Sequence, residues 1–267
     1  SGTATTARRP GRTGKGAVPS DTLPDLRSLP AWGISTGTDD QGHDLLNFGA
    51  TEWNAGPGPM VVEGFLQPGS STVMDAYQGF YRKGAQVDFR KVGTIQYDSE
   101  DDGDWHFSAF AQYDLLNADG SLRQTSGKDS WCLAPTDAVD TLVPNAATNP
   151  GNQDFQTRCG YAGSVWLREV LAVGWGDTYN QARLGQSFDI TDLPNGTYWI
   201  RVIVNPDGTI IERTRDNNTS YRKVILGGKK GARTVKVPPV GLVDSEAGSG
   251  GTPVPGPSLV RKLGDRQ

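Results

Sequence analysis

A chain of 267 residues with 35 Gly, 17 Pro, seven Trp and a 35% hydrophobic fraction is long enough for one large β domain or two small ones, and its turn-rich composition argues against a helical bundle. No apolar run approaches the length of a membrane span, so no membrane insertion is expected. The net charge of −4 is modest and gives no reason to expect nucleic acid as a partner.

Residues 1–20 are small, polar and basic, carrying Arg8, Arg9, Arg12 and Lys15 without an acid. Such a segment buries too little apolar surface to offset its ordering entropy, which predicts a flexible arm that orders only against a partner. No hydrophobic signal-peptide core is present, so the chain reads either as a mature secreted form or as one that follows an excised initiator Met. Residues 44–65 read as a strand pair broken by a Gly/Pro turn. Residues 98–104 place five carboxylates, Asp98, Glu100, Asp101, Asp102 and Asp104, just ahead of Trp105 and His106. From His106 the pattern alternates, with Phe107, Ala109, Ala111 and Tyr113 on one face and Ser108, Phe110 and Gln112 on the other. That predicts one strand, closed by turn chemistry from Asn117 to Gly120. Residues 164–173 are the one helical candidate, in which Val165, Trp166, Glu169 and Val170 give a rough helical period. Residues 197–214 read as a hairpin turning at Asn205, Pro206, Asp207 and Gly208. From Glu246 the Gly/Ser/Pro composition predicts a second arm. The expected architecture is all-β, an antiparallel β-sandwich with a little helix over residues 21–245, between flexible arms at 1–20 and 246–267.

Chemistry is sparse in this pattern. The two histidines, His43 and His106, have no zinc-ligand spacing, and the sequence has no nucleophile elbow, phosphate-binding loop or dinucleotide fingerprint. His43 reads as an exposed loop residue. Asp98, Glu100, Asp102 and Gly103 match the opening of a calcium loop with Glu for one Asp, but Ala109 stands where the bidentate Glu belongs. A solvated acidic turn is the plainer reading of these residues alone. Cys132 and Cys159 are not spaced as a redox or zinc pair, which favours one structural disulfide, and an oxidising compartment, over two inert buried thiols.

Seven segments in order, however, resemble the catalytic domain of lysyl oxidase, especially its actinobacterial secreted relatives: LPDLRSLPAWGI, LLNFGATEWNAGPGPMVVEG, DWHFSAFAQYDLLNADG, SGKDSWCL, GWGDTYNQ, GQSFDITDLPNGTYWIRVIVNPDGTIIERTRDNN and VPPVGLVD. They span residues 23–244. The resemblance implies a β-sandwich and an enzyme that oxidises primary amines, simple or in peptidyl lysine, with copper and a lysine tyrosylquinone. It implies Lys128 and Tyr179 as the two quinone precursors; the segment GQSFDITDLP offers Asp189 and Asp192 as bases for an active form, with structural turn chemistry as the alternative for each. The resemblance also supports a disulfide between Cys132 and Cys159. The family's copper motif is His-x-His-x-His, and here Asp102, Asp104 and His106 occupy its three positions. Cu(II) favours imidazole, whereas carboxylates suit calcium, magnesium or manganese. The first reading is therefore a non-catalytic structural or binding module of an extracellular, cell-surface or particle-surface assembly, docked on a protein partner through its arms, with calcium or no metal in the loop. The alternative is a copper- and quinone-dependent amine oxidase with an altered site.

Overall fold

The computed structural model describes residues 14, 16–99, 103–108, 110–127, 130–150 and 156–240. The predicted arms at 1–20 and 246–267 lie largely or wholly outside this set. The first strands are β1 (Leu26–Ser28), β2 (Trp32–Thr38), β3 (Asp44–Asn54), β4 (Met60–Leu66), β5 (Val73–Arg82) and β6 (Ala85–Tyr97). Then come β7 (Trp105–Ser108), β8 (Ala111–Asn117), β9 (Leu122–Thr125), β10 (Ser130–Trp131), β11 (Asp137–Ala138) and β12 (Trp166–Leu171). The last are β13 (Trp175–Tyr179), β14 (Ser187–Asp189), β15 (Gly196–Val204), β16 (Thr219–Lys229) and β17 (Ala232–Lys236). Helix among the described residues is confined to short 3-10 turns, such as Ser20–Thr22.

Three antiparallel sheets share the core in a sandwich-like arrangement. One runs β1-β3-β13-β11, with β2 and β14 also on β3; the second runs β10-β7-β6-β5-β4-β12; the third runs β17-β16-β15-β8-β9. The main core draws Phe48, Met60, Trp105, Tyr113, Trp131, Phe188 and Ile200 from all three. β3 explains this layout, because an eleven-residue strand buried along almost its whole length must have neighbours on both faces.

Four local expectations change. The segment beginning at His106 is two strands in different sheets, since Phe110 is fully buried where the alternation placed it opposite Tyr113. The chain crosses between sheets there, so a single period of two cannot hold. The strands at 44–65 exist, but β3 and β4 belong to separate sheets rather than to one ladder. The helical candidate at 164–173 is strand β12, which pairs with β4 from Trp166↔Phe65 to Leu171↔Met60. Its Leu167, Glu169 and Leu171 are buried at a spacing of two, and Trp and Val suit a ladder better than a helix. The hairpin from β15 does not return at once, because the partner strand is β16 and residues 205–218 form an irregular connection.

Side chains replace the ladder in that connection. Gln78 donates Nε2 to the Ile211 carbonyl and accepts the Ile211 N–H on Oε1, both at 2.8 Å, as a strand neighbour would. Glu212 turns inward and accepts from Asn205 Nδ2 (2.6 Å), Asn218 Nδ2 (2.8 Å) and the Leu26 N–H (2.9 Å). Burial nevertheless raises its pKa to about 7 against those three donors. A carboxyl whose folded pKa lies above its unfolded value favours the folded state at low pH, and that contribution is lost as pH rises from about 4.5 through about 7. Stability measured by urea titration is expected to fall across this window, and Glu212→Gln is expected to flatten the slope. An unchanged slope in the variant would show that Glu212 is not its source.

Candidate metal and quinone site

The acidic stretch forms the β6–β7 connection, closed by the Asp98 N–H donating to the Asp104 carbonyl at 2.9 Å. Gly103 has φ +74°, a left-handed conformation that a side chain would strain. Beyond the loop, β7 runs between β6 and β10, with His106 opposite Gln96 and Phe107 opposite both Ile95 and Trp131. This carries the His106 imidazole inward to 4% exposure. Its Nε2 lies 2.7 Å from Asp104 Oδ1, and its Nδ1 lies 3.9 Å from Asp98 Oδ2. Both ring nitrogens thus face carboxylate oxygens. Asp102, the remaining predicted ligand, lies outside the described residues.

The hairpin is tied to the strands beside it. Trp105 donates its backbone N–H to the Cys159 carbonyl at 3.1 Å and its indole N–H to the Tyr161 carbonyl at 2.9 Å. Cys159 is disulfide-bonded to Cys132, just past β10, with Cα atoms 5.8 Å apart. Asp104 and the two sulfur atoms lie within 4.8 Å of one another, but sulfurs already bonded to each other offer no thiolate to a metal.

The segment after β10 is the meeting point of the site. Tyr179 Oη lies 3.2 Å from the Cys132 carbonyl and 3.0 Å from Asp177 Oδ2, with its one proton available to these acceptors. The Leu133 N–H donates to Glu169 Oε2 at 3.0 Å. Lys128, four residues before Cys132, lies outside the described residues.

Three buried acids surround this point. Asp177 and Glu52 are cross-strand partners on β13 and β3, exposed to 2% and 0%. Glu169, fully buried on β12, has an Oε1 without a hydrogen-bond partner among the described residues. Burial, then the charges of Asp177 and Asp104, push the Glu169 carboxyl well above the ordinary range, against the Leu133 N–H. Burial first, then the Asp177 carboxylate, likewise raises the Tyr179 phenol far above its usual value. Tyr113, fully buried against Trp131, is raised by burial and by Glu52. The arrangement is one that holds protons: a carboxyl and two phenols are kept neutral by low dielectric and neighbouring negative charge.

The other candidates lie elsewhere in the polar network. Asp189 accepts from the Thr191 N–H (2.9 Å) and hydroxyl (2.6 Å), which lowers its pKa. Asp192 is exposed and paired with Lys230 at 3.0 Å. His43 is a half-exposed turn residue held to Asp39 at 2.9 Å. The carboxylate beside the Tyr179 hydroxyl is Asp177.

Sequence reasoning passed over Glu52, Glu169 and Tyr113 as site residues. Their available signal was a lone acid or phenol at an inward position of a strand, and for Glu169 the helical reading of 164–173 hid it.

The sequence profile of the lysyl oxidase family matches residues 96–234, just over half of the chain. The chain belongs to the lysyl oxidase family. It is similar to lysyl oxidase homolog 2 of Gallus gallus and of Homo sapiens, each 31% identical over 110 residues. It is also similar to lysyl oxidase homolog 4 of Mus musculus, 35% identical over 109 residues. These matches cover 41% of this chain and 12% of each relative.

Members of the lysyl oxidase family depend in general on copper, but the donors described here do not fit the family's three-imidazole set. One imidazole is present, its Nε2 turned to a carboxylate at 2.7 Å, and the second described position supplies a hard oxygen donor.

Proposed function

We propose that this protein is a non-catalytic member of its family, a lysyl-oxidase-like β-sandwich that serves as a structural or binding module. The observation that carries this reading is the pairing of His106 with Asp104 where the family places imidazoles for copper. A carboxylate in place of imidazole favours Cu(II) over Cu(I) and weakens selection for copper over calcium or manganese. The Tyr179 environment supports the same reading, because a phenol beside Asp177 resists conversion to the tyrosinate from which a quinone is built.

The disulfide suits an oxidising compartment, and no helix among the described residues is long and apolar enough to cross a membrane. An extracellular, cell-surface or particle-surface assembly is the setting we infer, with the arms at 1–20 and 246–267 contacting a protein partner. In that setting residues 1–20 are expected to resist limited proteolysis in the assembly and to be cut in the isolated protein. Cutting at equal rates in both would contradict the docking role.

A second reading has one observation in its favour. Tyr179 reaches the backbone of Cys132, in the same segment as Lys128, as a quinone precursor should. A copper- and lysine-tyrosylquinone-dependent oxidase of primary amines or peptidyl lysine would release hydrogen peroxide in proportion to amine. Copper-loaded protein given an alkyl amine or a lysine peptide is expected to release no peroxide beyond the Tyr179→Phe control. Sustained amine-dependent release, lost in that control, would establish the oxidase.

A further inference from the structure

Arg222 occupies an unusual position for a cation. On β16 it falls between Ser220 and Val224, both buried, and it pairs across the ladder with Ile200, which is fully buried on β15. Alternation therefore points its side chain to the core-facing side of the sheet. Ser220, two residues earlier on that face, donates its hydroxyl to the Leu29 carbonyl at 2.7 Å. Arg222 accordingly meets the connection that leads from Leu29 into β2.

A cavity of about 320 Å³ lies there, lined by Leu29, Pro30, Ala31, Trp32, Arg222 and Val240 together with Gly33. That volume is at the lower end of the range for small-molecule sites. Apart from the guanidinium its side chains are apolar. Trp32 supplies a platform: its ring lies so close over Gly49, its cross-strand partner, that a Cβ at position 49 would stand 2.7 Å from it. The indole N–H is engaged with Thr51 Oγ1 at 3.3 Å, and the residue is still 39% exposed. One side of the ring is therefore packed on backbone and the rest is left accessible.

Among the described residues the guanidinium has no matching acid. Its Nε is buried without a hydrogen-bond partner, and no carboxylate among the described residues forms an ion pair with it. Partial burial is the cause that lowers its pKa. The other inward arginines are different: Arg27 is paired with Asp25, Arg168 with Glu63 and Arg201 with Asp114. A buried donor without an acceptor costs folding free energy unless something supplies the acceptor.

We propose that the cavity between β16 and the β1–β2 connection binds a small organic carboxylate, its anion on the Arg222 guanidinium and its apolar or aromatic body against Trp32, Pro30 and Leu29. A carboxylate fits because it accepts charge-assisted hydrogen bonds from the guanidinium fork, and the apolar walls exclude a fully hydrated ion. This site is separate from the one around Tyr179, and its test does not depend on whether that site is catalytic.

The test is ligand titration of the full chain, followed by calorimetry or ligand-observed NMR, with phenylacetate and its uncharged isostere phenylacetamide as probes. Phenylacetate is expected to bind the wild-type protein at least about tenfold more tightly than the amide. Arg222→Gln is expected to erase that preference, and Trp32→Ala to weaken both probes together. Comparing the two probes on unmutated protein keeps the proposal falsifiable should either variant fold poorly. No binding, equal affinity for acid and amide, or an unchanged preference in a folded Arg222→Gln protein would overturn it. So would binding that appears only when Asp244 and Glu246 are replaced by Asn and Gln, since the chain's own acids would then be the occupant.

Discussion

Replacing Cys132 and Cys159 together by serine is expected to destabilise the domain by about 3–4 kcal/mol, the chain-entropy value for a closed loop of this size. The bond spans a sequence separation of 27 and closes the loop between β10 and the segment before β12. Noncovalent attachments of that segment include the Trp105 N–H on the Cys159 carbonyl, the Trp105 indole N–H on the Tyr161 carbonyl, the Thr157 hydroxyl donating to the Leu133 carbonyl and accepting the Val170 N–H, and an isolated bridge from Arg158 to Arg168. Without the crosslink, the unfolded chain gains the freedom that the bond removed. The folded state keeps these contacts, but they do nothing to restrict the unfolded chain. Urea denaturation of the double variant checks this. A loss below about 1 kcal/mol would show that the loop is held by packing alone.

Trp131→Ala is expected to cost about 3–5 kcal/mol, the range for truncating a large buried aromatic. Trp131 is fully buried, packs edge-on to Tyr113 with centroids 6.0 Å apart, and lies 6.3 Å from Phe110. It joins the sheet containing β7 to that containing β8, and it sits immediately before the backbone that receives Tyr179. The loss should therefore appear both in the denaturation midpoint and in the near-ultraviolet signal of Tyr113 and its neighbours. Trp131→Phe, which refills part of the volume, should recover a substantial share. An alanine variant as stable as the parent would mean that this ring is not part of the core joining the sheets. Because residues 131 and 132 are adjacent, the Trp131 and disulfide effects are not expected to add.

These two expectations rest on features that differed in how openly the sequence displayed them. The β class and the Asn117–Gly120 turn were legible because turn residues and alternation act locally. The Gly120 N–H donates to the Asn117 carbonyl at 2.9 Å, as the turn chemistry requires. Sheet membership was not legible, since it depends on which strands meet over long separations. Phe110 is a case in point: a local pattern cannot show that the chain leaves one sheet and enters another at that residue. Glu169 fails for a related reason. The rough helical period that includes it hides the strand, and only the pairing with β4 shows that Glu169 turns inward.

At the candidate site, the resemblance placed His106, Asp104 and Tyr179 in named roles, and the structure adds the acids that surround them. Asp177 was within the quoted motif, whereas its partner Glu52 lies in a strand far earlier in the chain. Only the β3–β13 pairing brings the two together. Their proximity matters to the functional reading because negative charge near Tyr179 favours the neutral phenol. The same pairing of like charges across a buried ladder would be costly without compensation.

The most direct measurement is peptide mass spectrometry of the full chain after incubation with copper, searching for a covalent link between the peptides that carry Lys128 and Tyr179. The non-catalytic reading predicts both peptides at their unmodified masses. A peptide pair joined through those two residues would contradict it and make the protein a working amine oxidase whose carboxylate-substituted loop still handles copper.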